Sequence, residues 1–470
     1  MSISTSSVQD TIVALATSPG ANGAIAVIRL SGPQAITITN AVFRGKDLTK
    51  QDSHTLHFGT IRDGEQIIDE VLISLFVAPH SYTKEDVVEI STHNSMYIIE
   101  RLLGLLIKKG ARAARAGEFT LRAFLNGGLD LAQAEAVADL IASENKASHE
   151  VAMNQMRGGI SNKLQDMREQ LINFVSLLEL ELDFGEEDVE FADRSQFETL
   201  VRDLKTHVGK LIQSFAYGNA IKQGVPVAII GKPNAGKSTL LNTLLDEERA
   251  IVSDIAGTTR DTIEEAINLD GITFRFIDTA GLRDTEDTIE AIGVNKAKEK
   301  VKQAKVLLYL YDDRDSTAEE VVTQIKGLYY PGLVVILVRN KIDLEGGYHP
   351  NAMDEQIKEA LFSDYTNSIV AISAKDGESV EGLKKVLLDK IRDMAVEDQQ
   401  IITNTRHVEA LQLSLDALNE VEQGLGMLLP GDLLAHHVRE ALRHISSITG
   451  DIDVDRDILG TIFGKFCIGK

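Results

Sequence analysis

Several features that are common in other proteins are scarce in this chain, and each scarcity excludes a class of protein. The 470 residues include one cysteine, which rules out an intramolecular disulfide and favours a reducing, cytoplasmic setting. No uninterrupted apolar run approaches the ~18 residues that would span a bilayer. The first ten residues lack the basic and apolar regions of a signal peptide. We therefore expect a protein that acts without a membrane.

Basic residues are also few, since 48 lysines and arginines stand against 71 aspartates and glutamates and leave a formal net charge of −23. This balance argues against general electrostatic binding of nucleic acid, so any contact with RNA needs a local basic patch or a second protein. One region does concentrate basic residues, and it is either a set of solvated helix faces or an RNA surface. Its members are Arg101, Lys108, Lys109, Arg112, Arg115 and Arg122.

The most informative stretch is 231–238, Gly-Lys-Pro-Asn-Ala-Gly-Lys-Ser, which follows an apolar run and leads into Thr239. This order predicts a buried strand, a glycine loop and a helix, as in phosphate-binding loops. The glycines let backbone NH groups point at a phosphate chain beside the positive end of the helix. Lys237 would reach the β and γ phosphates, and Ser238 would bind Mg²⁺. The same predicted site includes Asn234, Ala235, Gly236 and Thr239.

Four further motifs follow in the order that a guanine-nucleotide site requires. They are Gly257-Thr258-Thr259-Arg260-Asp261, Asp278-Thr279-Ala280-Gly281, Asn340-Lys341-Ile342-Asp343 and Ser373-Ala374-Lys375. The Asp278 carboxylate can hold a metal-bound water while the Gly281 NH senses a γ-phosphate. Asp343 can accept hydrogen bonds from the ring NH and exocyclic amine of guanine, which adenine does not offer there. Each motif alone is weak, but the ordered set predicts GTP binding.

The pattern of apolar residues divides the chain into four segments. Short strands and helices predict an α+β domain over 1–125. Helical periodicity follows over 126–222 and resumes over 392–470, and we expect its apolar stripes to be core. Between them, 223–391 alternates strands with helices, as in a mostly parallel sheet. The predicted fold is multidomain α+β, with a Ras-like α/β P-loop GTPase domain inserted into an α-helical domain.

A second set of motifs lies outside the nucleotide module. It comprises Asp10-Thr11-Ile12, Pro19-Gly20, Ile28-Arg29-Leu30-Ser31-Gly32, Gly117-Glu118-Phe119-Thr120, Arg122-Ala123-Phe124-Leu125-Asn126-Gly127, Leu129-Asp130-Leu131-Ala132-Gln133-Ala134-Glu135-Ala136 and Cys467-Ile468-Gly469-Lys470. In these motifs the chain resembles the MnmE (or TrmE) family of tRNA-modifying GTPases over essentially its whole length. The resemblance implies a homodimer built through N-terminal domains that bind tetrahydrofolate.

The resemblance also implies a reaction, the addition of a carboxymethylaminomethyl or aminomethyl group to carbon 5 of the wobble uridine of certain tRNAs. The family takes its one-carbon unit from 5-formyl- or methylene-tetrahydrofolate. It acts in a heterotetramer with MnmG, a flavin- and NADH-using partner. A partner that binds tRNA would reconcile an RNA substrate with the acidic composition of this chain.

The family's folate pocket matches Arg29, Glu89 and Lys470 of this sequence. The two cations are suited to carboxylate or pterin contacts, and Glu89 can accept hydrogen bonds from the pterin ring. One position departs from the family, because Gly128 stands where a Lys or Arg is usual and offers only backbone. The resemblance places Cys467 close to the one-carbon group. Whether that thiol is a nucleophile or a small packing residue stays open at this point.

The hydrolytic residues implied by the resemblance differ from those of Ras-type enzymes. Leu282 follows the Asp278 motif, where Ras-type enzymes place a glutamine that orients the attacking water. The family uses a glutamate later in the second switch, through a bridging water, and its match is Glu290. In place of an arginine finger the family binds K⁺.

The K⁺ and Mg²⁺ ligands implied by the resemblance lie in the phosphate loop and the first switch. Asn234 would bind K⁺ through its amide oxygen, and Thr259 would complete the Mg²⁺ shell with Ser238. The first-switch loop that would close over K⁺ is Ser253-Asp254-Ile255-Ala256-Gly257-Thr258. Its K⁺ ligands would be the carbonyls of Ser253 and Ile255 and an oxygen of Thr258.

Two other functions are compatible with parts of the sequence. One is a ribosome-assembly or regulatory GTPase without modification chemistry, which loss of tRNA modification in a deletion strain would exclude. The other is a folate enzyme that GTP regulates and that never meets tRNA, which copurification of MnmG and tRNA would exclude.

Overall fold

The structure, a computed structural model, describes residues 10–17, 23–183, 194–248, 265–277, 299, 301–345, 351–361, 368–393, 400–427, 429–450 and 469. The chain divides into two compact units. The first comprises Met1–Ile141, Met153–Arg202 and Leu413–Lys470, and the second comprises Ala142–Ala152 and Asp203–Gln412. Within the described ranges, no helix is both long and apolar enough to cross a bilayer.

A seven-stranded sheet forms the N-terminal part of the first unit. Its strands are β1 (Ile12–Leu15), β2 (Ile25–Ser31), β3 (Phe43–Arg44), β4 (Thr55–Asp63), β5 (Gln66–Phe76), β6 (Val87–His93) and β7 (Arg112–Ala113). They lie in the order β3-β4-β5-β6-β2-β1-β7. Neighbouring strands are antiparallel except β1 and β7. Two helices, α1 (Ala35–Val42) and α2 (Met96–Lys108), share a hydrophobic core with this sheet.

The two faces of this sheet differ because side chains alternate along each strand. One face supplies the core, where Ile61, Ile73 and Ile90 are fully buried. The other face carries apolar side chains in solvent. Phe58 and Leu72 lie directly opposite each other in β4 and β5, and they are 67% and 46% exposed.

The other helices whose bounds the structure gives include several that were predicted from apolar stripes. They are α3 (Glu118–Leu125), α4 (Leu131–Ile141), α5 (Lys146–Met156), α6 (Gly159–Asp183), α7 (Arg194–Gln223), α8 (Lys237–Glu248), α9 (Ala318–Leu328), α10 (Ala352–Leu361), α11 (Gly377–Arg392), α12 (Thr405–Gly426) and α13 (Gly431–Thr449). Leu164, Met167 and Leu171 of α6 are at most 2% exposed, and α6 packs against α13. The prediction that this stripe is core is confirmed.

Arg122 fits neither interpretation of the basic region. Its side chain is only 2% exposed and pairs with the carboxylates of Asp10, Glu85 and Glu118. Arg112 pairs with Asp10 and Glu118 as well. A buried cation is tolerated only where such partners replace water. The interpretation of Arg122 as solvated or RNA-facing was therefore wrong, because carboxylates from three parts of the chain surround it in the fold, whereas the Arg112 side chain stays 35% exposed.

A six-stranded sheet forms the centre of the second unit. Its strands are β8 (Val225–Gly231), β9 (Glu265–Leu269), β10 (Ile272–Phe276), β11 (Val306–Tyr311), β12 (Val334–Arg339) and β13 (Ser368–Ala371). They lie in the order β13-β12-β11-β8-β10-β9, and only β9 and β10 pair antiparallel. The predicted mostly parallel sheet is confirmed. Because β8, β11, β12 and β13 run in one direction, the loops that follow them meet at one edge.

Candidate functional sites

The loop between β8 and α8 requires a glycine near each end. A Cβ on Gly231 would lie 2.3 Å from the carbonyl oxygen of Leu310. Gly236 has a φ of +97°, and a Cβ there would lie 2.1 Å from Nδ2 of Asn340. Asn234 also has a positive φ, +63°, which asparagine tolerates better than most residues. The loop is therefore wrapped too tightly for side chains at these glycines, as a backbone cradle for phosphate requires.

Lys237 places its ammonium group over this cradle. Its Nζ donates to the carbonyl oxygens of Gly231 at 3.0 Å and Lys232 at 2.9 Å. Ser238 and Thr239 follow in the first turn of α8 and are half-buried. The lysine charge and the NH groups of the first helical turn together form a site suited to an anion such as a phosphate chain.

Asn340 joins three loops at the edge of the parallel sheet. Its side chain is only 2% exposed. Nδ2 donates to the carbonyl oxygen of Ala235 at 2.7 Å, while Oδ1 accepts from the NH groups of Lys341 and Ala374, both at 2.8 Å. Thr243 of α8 adds a second link, since its hydroxyl donates to the carbonyl oxygen of Ala374 at 2.6 Å. Residues from three of the predicted motifs are thus brought together.

The other residues of these motifs differ in exposure. Asp343 lies in a 3₁₀ turn, Ile342–Glu345, and is exposed to solvent. Ile342 is half-buried, Ser373 is buried and Lys375 is exposed. The Asp343 carboxylate is therefore accessible to a base that enters from solvent, whereas Ser373 is part of the packed interior.

Sequence reasoning missed Asp312, which directly follows β11. The side chain of Asp312 is 3% exposed, and its carboxylate pairs with Lys341 at 2.9 Å and with Arg314 at 2.7 Å. Hydrogen bonds from Arg314 and Lys341 hold the pKa of this carboxyl well below its usual range. The signal that could have found it is its position at the C-terminal end of a parallel strand, where such folds place binding residues.

Several predicted site residues lie outside the described residues. They are Ser253, Asp254, Ile255, Ala256, Gly257, Thr258, Thr259, Asp278, Thr279, Ala280, Gly281, Glu290, Cys467 and Lys470. Their assignments stay predictions from the sequence.

Arg29 and Glu89 meet in the N-terminal sheet, where β2 and β6 pair them directly. The guanidinium donates to Oε1 of Glu89 from Nε at 2.8 Å and from Nη2 at 2.7 Å. Its Nη1 donates to the carbonyl oxygen of Gly469 at 3.4 Å. The ring centroids of Tyr82 and Phe119 lie 5.8 and 5.7 Å from the guanidinium carbon. Two predicted site residues are thus in contact, close to one residue of the C-terminal motif.

Gly128 is covered by a lysine that sequence reasoning also missed. A Cβ at position 128 would lie 3.2 Å from Cγ and 3.3 Å from Cε of Lys84. Lys84 is exposed and has a φ of +61°, which is uncommon for a residue with a Cβ. The space beside Gly128 therefore holds the stem of a cationic side chain from another part of the chain.

Comparison with known proteins identifies the family. Residues 11–128 match the model of the GTP-binding protein TrmE N-terminus, and residues 131–467 match that of the MnmE helical domain. The tRNA modification GTPase MnmE of Cytophaga hutchinsonii is 53% identical over 464 residues, which cover 98% of both chains. This chain belongs to the MnmE family. A second MnmE, from Bacteroides thetaiotaomicron, is 50% identical and covers 98% of this chain and 100% of the relative.

Solved structures resemble parts of this MnmE-family chain. A single-residue variant of Aquifex aeolicus Era bound to GDP·AlF₄⁻ is 28% identical, with a TM-score of 0.27 over 41% of this chain and 66% of that one. The G domain of the T. maritima FeoB iron transporter is 24% identical, with a TM-score of 0.26 over 36% of this chain and 98% of that one.

Proposed function

We propose that this chain, a GTP-hydrolysing member of the MnmE family, adds a carboxymethylaminomethyl or aminomethyl group to carbon 5 of the wobble uridine of certain tRNAs. In this proposal 5-formyl- or methylene-tetrahydrofolate supplies the one-carbon unit. A flavin-dependent partner, MnmG, supplies the redox chemistry. Family membership supports the use of GTP in tRNA modification, and the residues around Arg29 support the folate.

The observation that carries the folate proposal is the arrangement around Arg29. Its guanidinium is fixed by Glu89 and flanked by the rings of Tyr82 and Phe119. A fixed guanidinium suits a carboxylate or a pterin carbonyl, and a carboxylate suits the NH donors of a pterin. These donor and acceptor types fit the ligand. Gly469 reaches this group, so we propose that its sequence neighbours Cys467 and Lys470 complete the pocket.

Gly128 contributes to the proposed pocket through Lys84, which lies beside it. Gly128 supplies only backbone, and the Lys84 stem lies beside it. We propose that the Lys84 ammonium provides the cationic contact for the anionic tail of the folate there.

The homodimer part of the proposal rests on the face of the N-terminal sheet that carries Arg29 and Glu89. Residues directly opposite each other on neighbouring strands share a face, and the register aligns Arg29, Glu89, Ser74 and Leu56 in one row. Leu56 is 68% exposed, and its apolar neighbours Phe58 and Leu72 are exposed as well. A second copy of this chain would cover this apolar surface next to the folate pocket.

The nucleotide proposal assigns a role to each motif. The phosphate loop 231–238 holds the phosphates, while Asn340 and Asp343 hold the guanine. Mg²⁺ is bound by oxygens of Ser238 and Thr259 together with phosphate. Among the described residues, no group of three or more His, Cys, Asp or Glu side chains is placed to hold a metal ion.

The proposal for hydrolysis depends on K⁺ and a glutamate. Asn234 binds K⁺ beside the phosphates, together with Ser253, Ile255 and Thr258, and the cation replaces an arginine finger. Glu290 orients the attacking water, because Leu282 cannot form a hydrogen bond to it.

The proposed architecture follows the four segments predicted from the sequence. They are a folate-binding and dimerisation domain over 1–125, helical segments over 126–222 and 392–470, and a GTPase domain over 223–391. The chain acts in the cytoplasm as a homodimer that assembles with MnmG. The partner supplies most of the contact with tRNA, since the acidic charge of this chain disfavours a broad RNA surface.

Mass spectrometry of wobble uridines tests the proposed function. Cells that lack this protein should lose the modification, and the wild-type chain supplied in trans should restore it. A chain with Lys237→Ala should not restore it, because GTP binding is lost. Normal wobble uridines in the deletion strain would overturn the proposal and favour a regulatory or ribosome-assembly GTPase.

A further inference from the structure

Two neighbouring aspartates after β11 hold the residues on both sides of Asn340. Asp312 pairs with Lys341 at 2.9 Å, and Asp313 approaches the fully buried Arg339 at 3.8 Å. Asn340 lies between these two cations in the chain and links the phosphate loop to the Ser-Ala-Lys loop. Lys341 is therefore held by a carboxylate that directly follows the adjacent parallel strand, while Arg339 has a nearer partner in Asp354 at 3.2 Å.

Lys341 has a backbone conformation that requires such support. Its φ is +69°, a region that lysine seldom adopts and that persists only where the surroundings enforce it. Asp312 is the carboxylate that holds its ammonium group. The conformation of Lys341 sets the course of the chain into the turn that carries Asp343, two residues later.

We propose that Asp312 is a positioning residue for guanine-nucleotide binding, which acts by holding Lys341 and thereby placing Asp343 against the base. The inference rests on the proposed assignment of Asn340 and Asp343 to the guanine. Asp312 itself lies almost fully buried beneath the loop, so its effect on the nucleotide passes through Lys341. The chain that follows Asp312 also contacts the phosphate loop, because Glu320 in α9 pairs with Lys232 at 2.7 Å.

The test is a double-mutant cycle on the full-length protein, with the dissociation constant and dissociation rate of a fluorescent GDP analogue as readouts. Asp312→Asn should weaken GDP binding about tenfold, the usual effect of losing a charged hydrogen bond, and should raise KM for GTP while kcat stays near normal. Lys341→Met should weaken binding by a similar factor. In the Lys341→Met background, Asp312→Asn should add little, because both changes remove the same interaction.

Arg314→Gln is the matched control. Arg314 contacts the same carboxylate at 2.7 Å but lies outside the base-binding motif, so its loss should leave GDP affinity unchanged. Unchanged GDP affinity in Asp312→Asn, or equal weakening with and without Lys341→Met, would overturn the proposal. If Asp312→Asn does not fold, Asp312→Glu replaces it in the cycle. We expect Asp312→Glu to weaken GDP binding less than tenfold, and normal GDP affinity in this variant would also overturn the proposal.

A separate variant tests the assignment on which this inference rests. Asp343→Asn should shift preference from GTP to xanthosine triphosphate, because the amide can donate to the carbonyl that replaces the exocyclic amine. Failure of that shift would contradict the assignment of Asp343, whatever the Asp312 cycle shows. If the shift to xanthosine triphosphate occurs but Asp312→Asn leaves GDP affinity unchanged, only the positioning role of Asp312 is contradicted.

Discussion

Arg29 donates from two of its nitrogens to a single carboxylate oxygen of Glu89, at 2.8 and 2.7 Å. Among the described residues, both of these contacts fall on Oε1 of Glu89, and Nη1 of the guanidinium donates to the carbonyl oxygen of Gly469 at 3.4 Å. The pair therefore offers a donor and an acceptor side by side. This is the polar pattern that a pterin ring requires.

The first prediction concerns this pair. Arg29→Gln should weaken binding of 5-formyl-tetrahydrofolate about tenfold or more, because a charge-assisted contact is lost, and should leave GTP hydrolysis unchanged. Titration calorimetry measures the affinity. Arg101→Gln is the control, since Arg101 lies at the surface and contacts Asp63 at 3.5 Å and Gln66 at 3.2 Å. Normal folate affinity in Arg29→Gln would remove Arg29 from the pocket.

The second prediction concerns Asn340. Asn340→Ser should lower the free energy of unfolding of the GTPase segment by about 2 kcal/mol or more, because buried groups of Ala235 and Ala374 lose their hydrogen bonds. It should also weaken GDP binding. Asp343→Ala should weaken GDP binding without this loss of stability, since Asp343 is exposed. Denaturant unfolding measures the stability, and equal stability of the two variants would contradict the bridging role of Asn340.

The third prediction is that hydrolysis depends on K⁺. Replacement of K⁺ by Na⁺ should slow GTP turnover in the wild type, and Asn234→Ala should remove this response while GDP binding stays largely intact. The reason is that Asn234 is the proposed K⁺ ligand in the phosphate loop and Leu282 replaces the usual glutamine. Steady-state turnover in matched KCl and NaCl measures the effect. Equal rates in both salts for the wild-type chain would refute it.

The fourth prediction assigns Glu290 to the chemical step. Glu290→Ala should lower turnover by about 10²-fold or more with little change in nucleotide affinity, as expected when an interaction is made only in the transition state. Single-turnover hydrolysis and GDP binding measure the two quantities. Near-normal turnover would mean that another residue orients the water.

The fifth prediction separates the two activities. Cys467→Ser should abolish tRNA modification in cells while GTP hydrolysis stays nearly unchanged, because Cys467 belongs to the C-terminal motif and lies far along the chain from the GTPase segment. The change keeps the size of the side chain and removes most of its nucleophilicity. Melting temperature and dimer mass should be measured alongside. Normal wobble uridines with a stable variant would leave Cys467 as a packing residue.

The sequence by itself determined the features that depend on local spacing. The phosphate loop is recognisable because two glycines, Lys237 and Ser238 must occupy fixed positions between a strand and a helix. The stripe of α6 was predictable for the same reason, since a period of 3.6 residues places Leu164, Met167 and Leu171 on one face. The parallel sheet followed from strands that alternate with helices.

Only the tertiary structure decided which distant residues meet. The sequence pattern predicted a surface position for Arg122, but the fold surrounds its side chain with carboxylates. Lys84 covers Gly128, although no local sequence pattern connects the two residues. The contact between Arg29 and Gly469 spans 440 residues. Asp312 and Lys341 meet because β11 and β12 run side by side in the same direction. Such contacts are set by how strands and helices pack, and that packing depends on the whole chain at once, whereas a motif depends on a few neighbours.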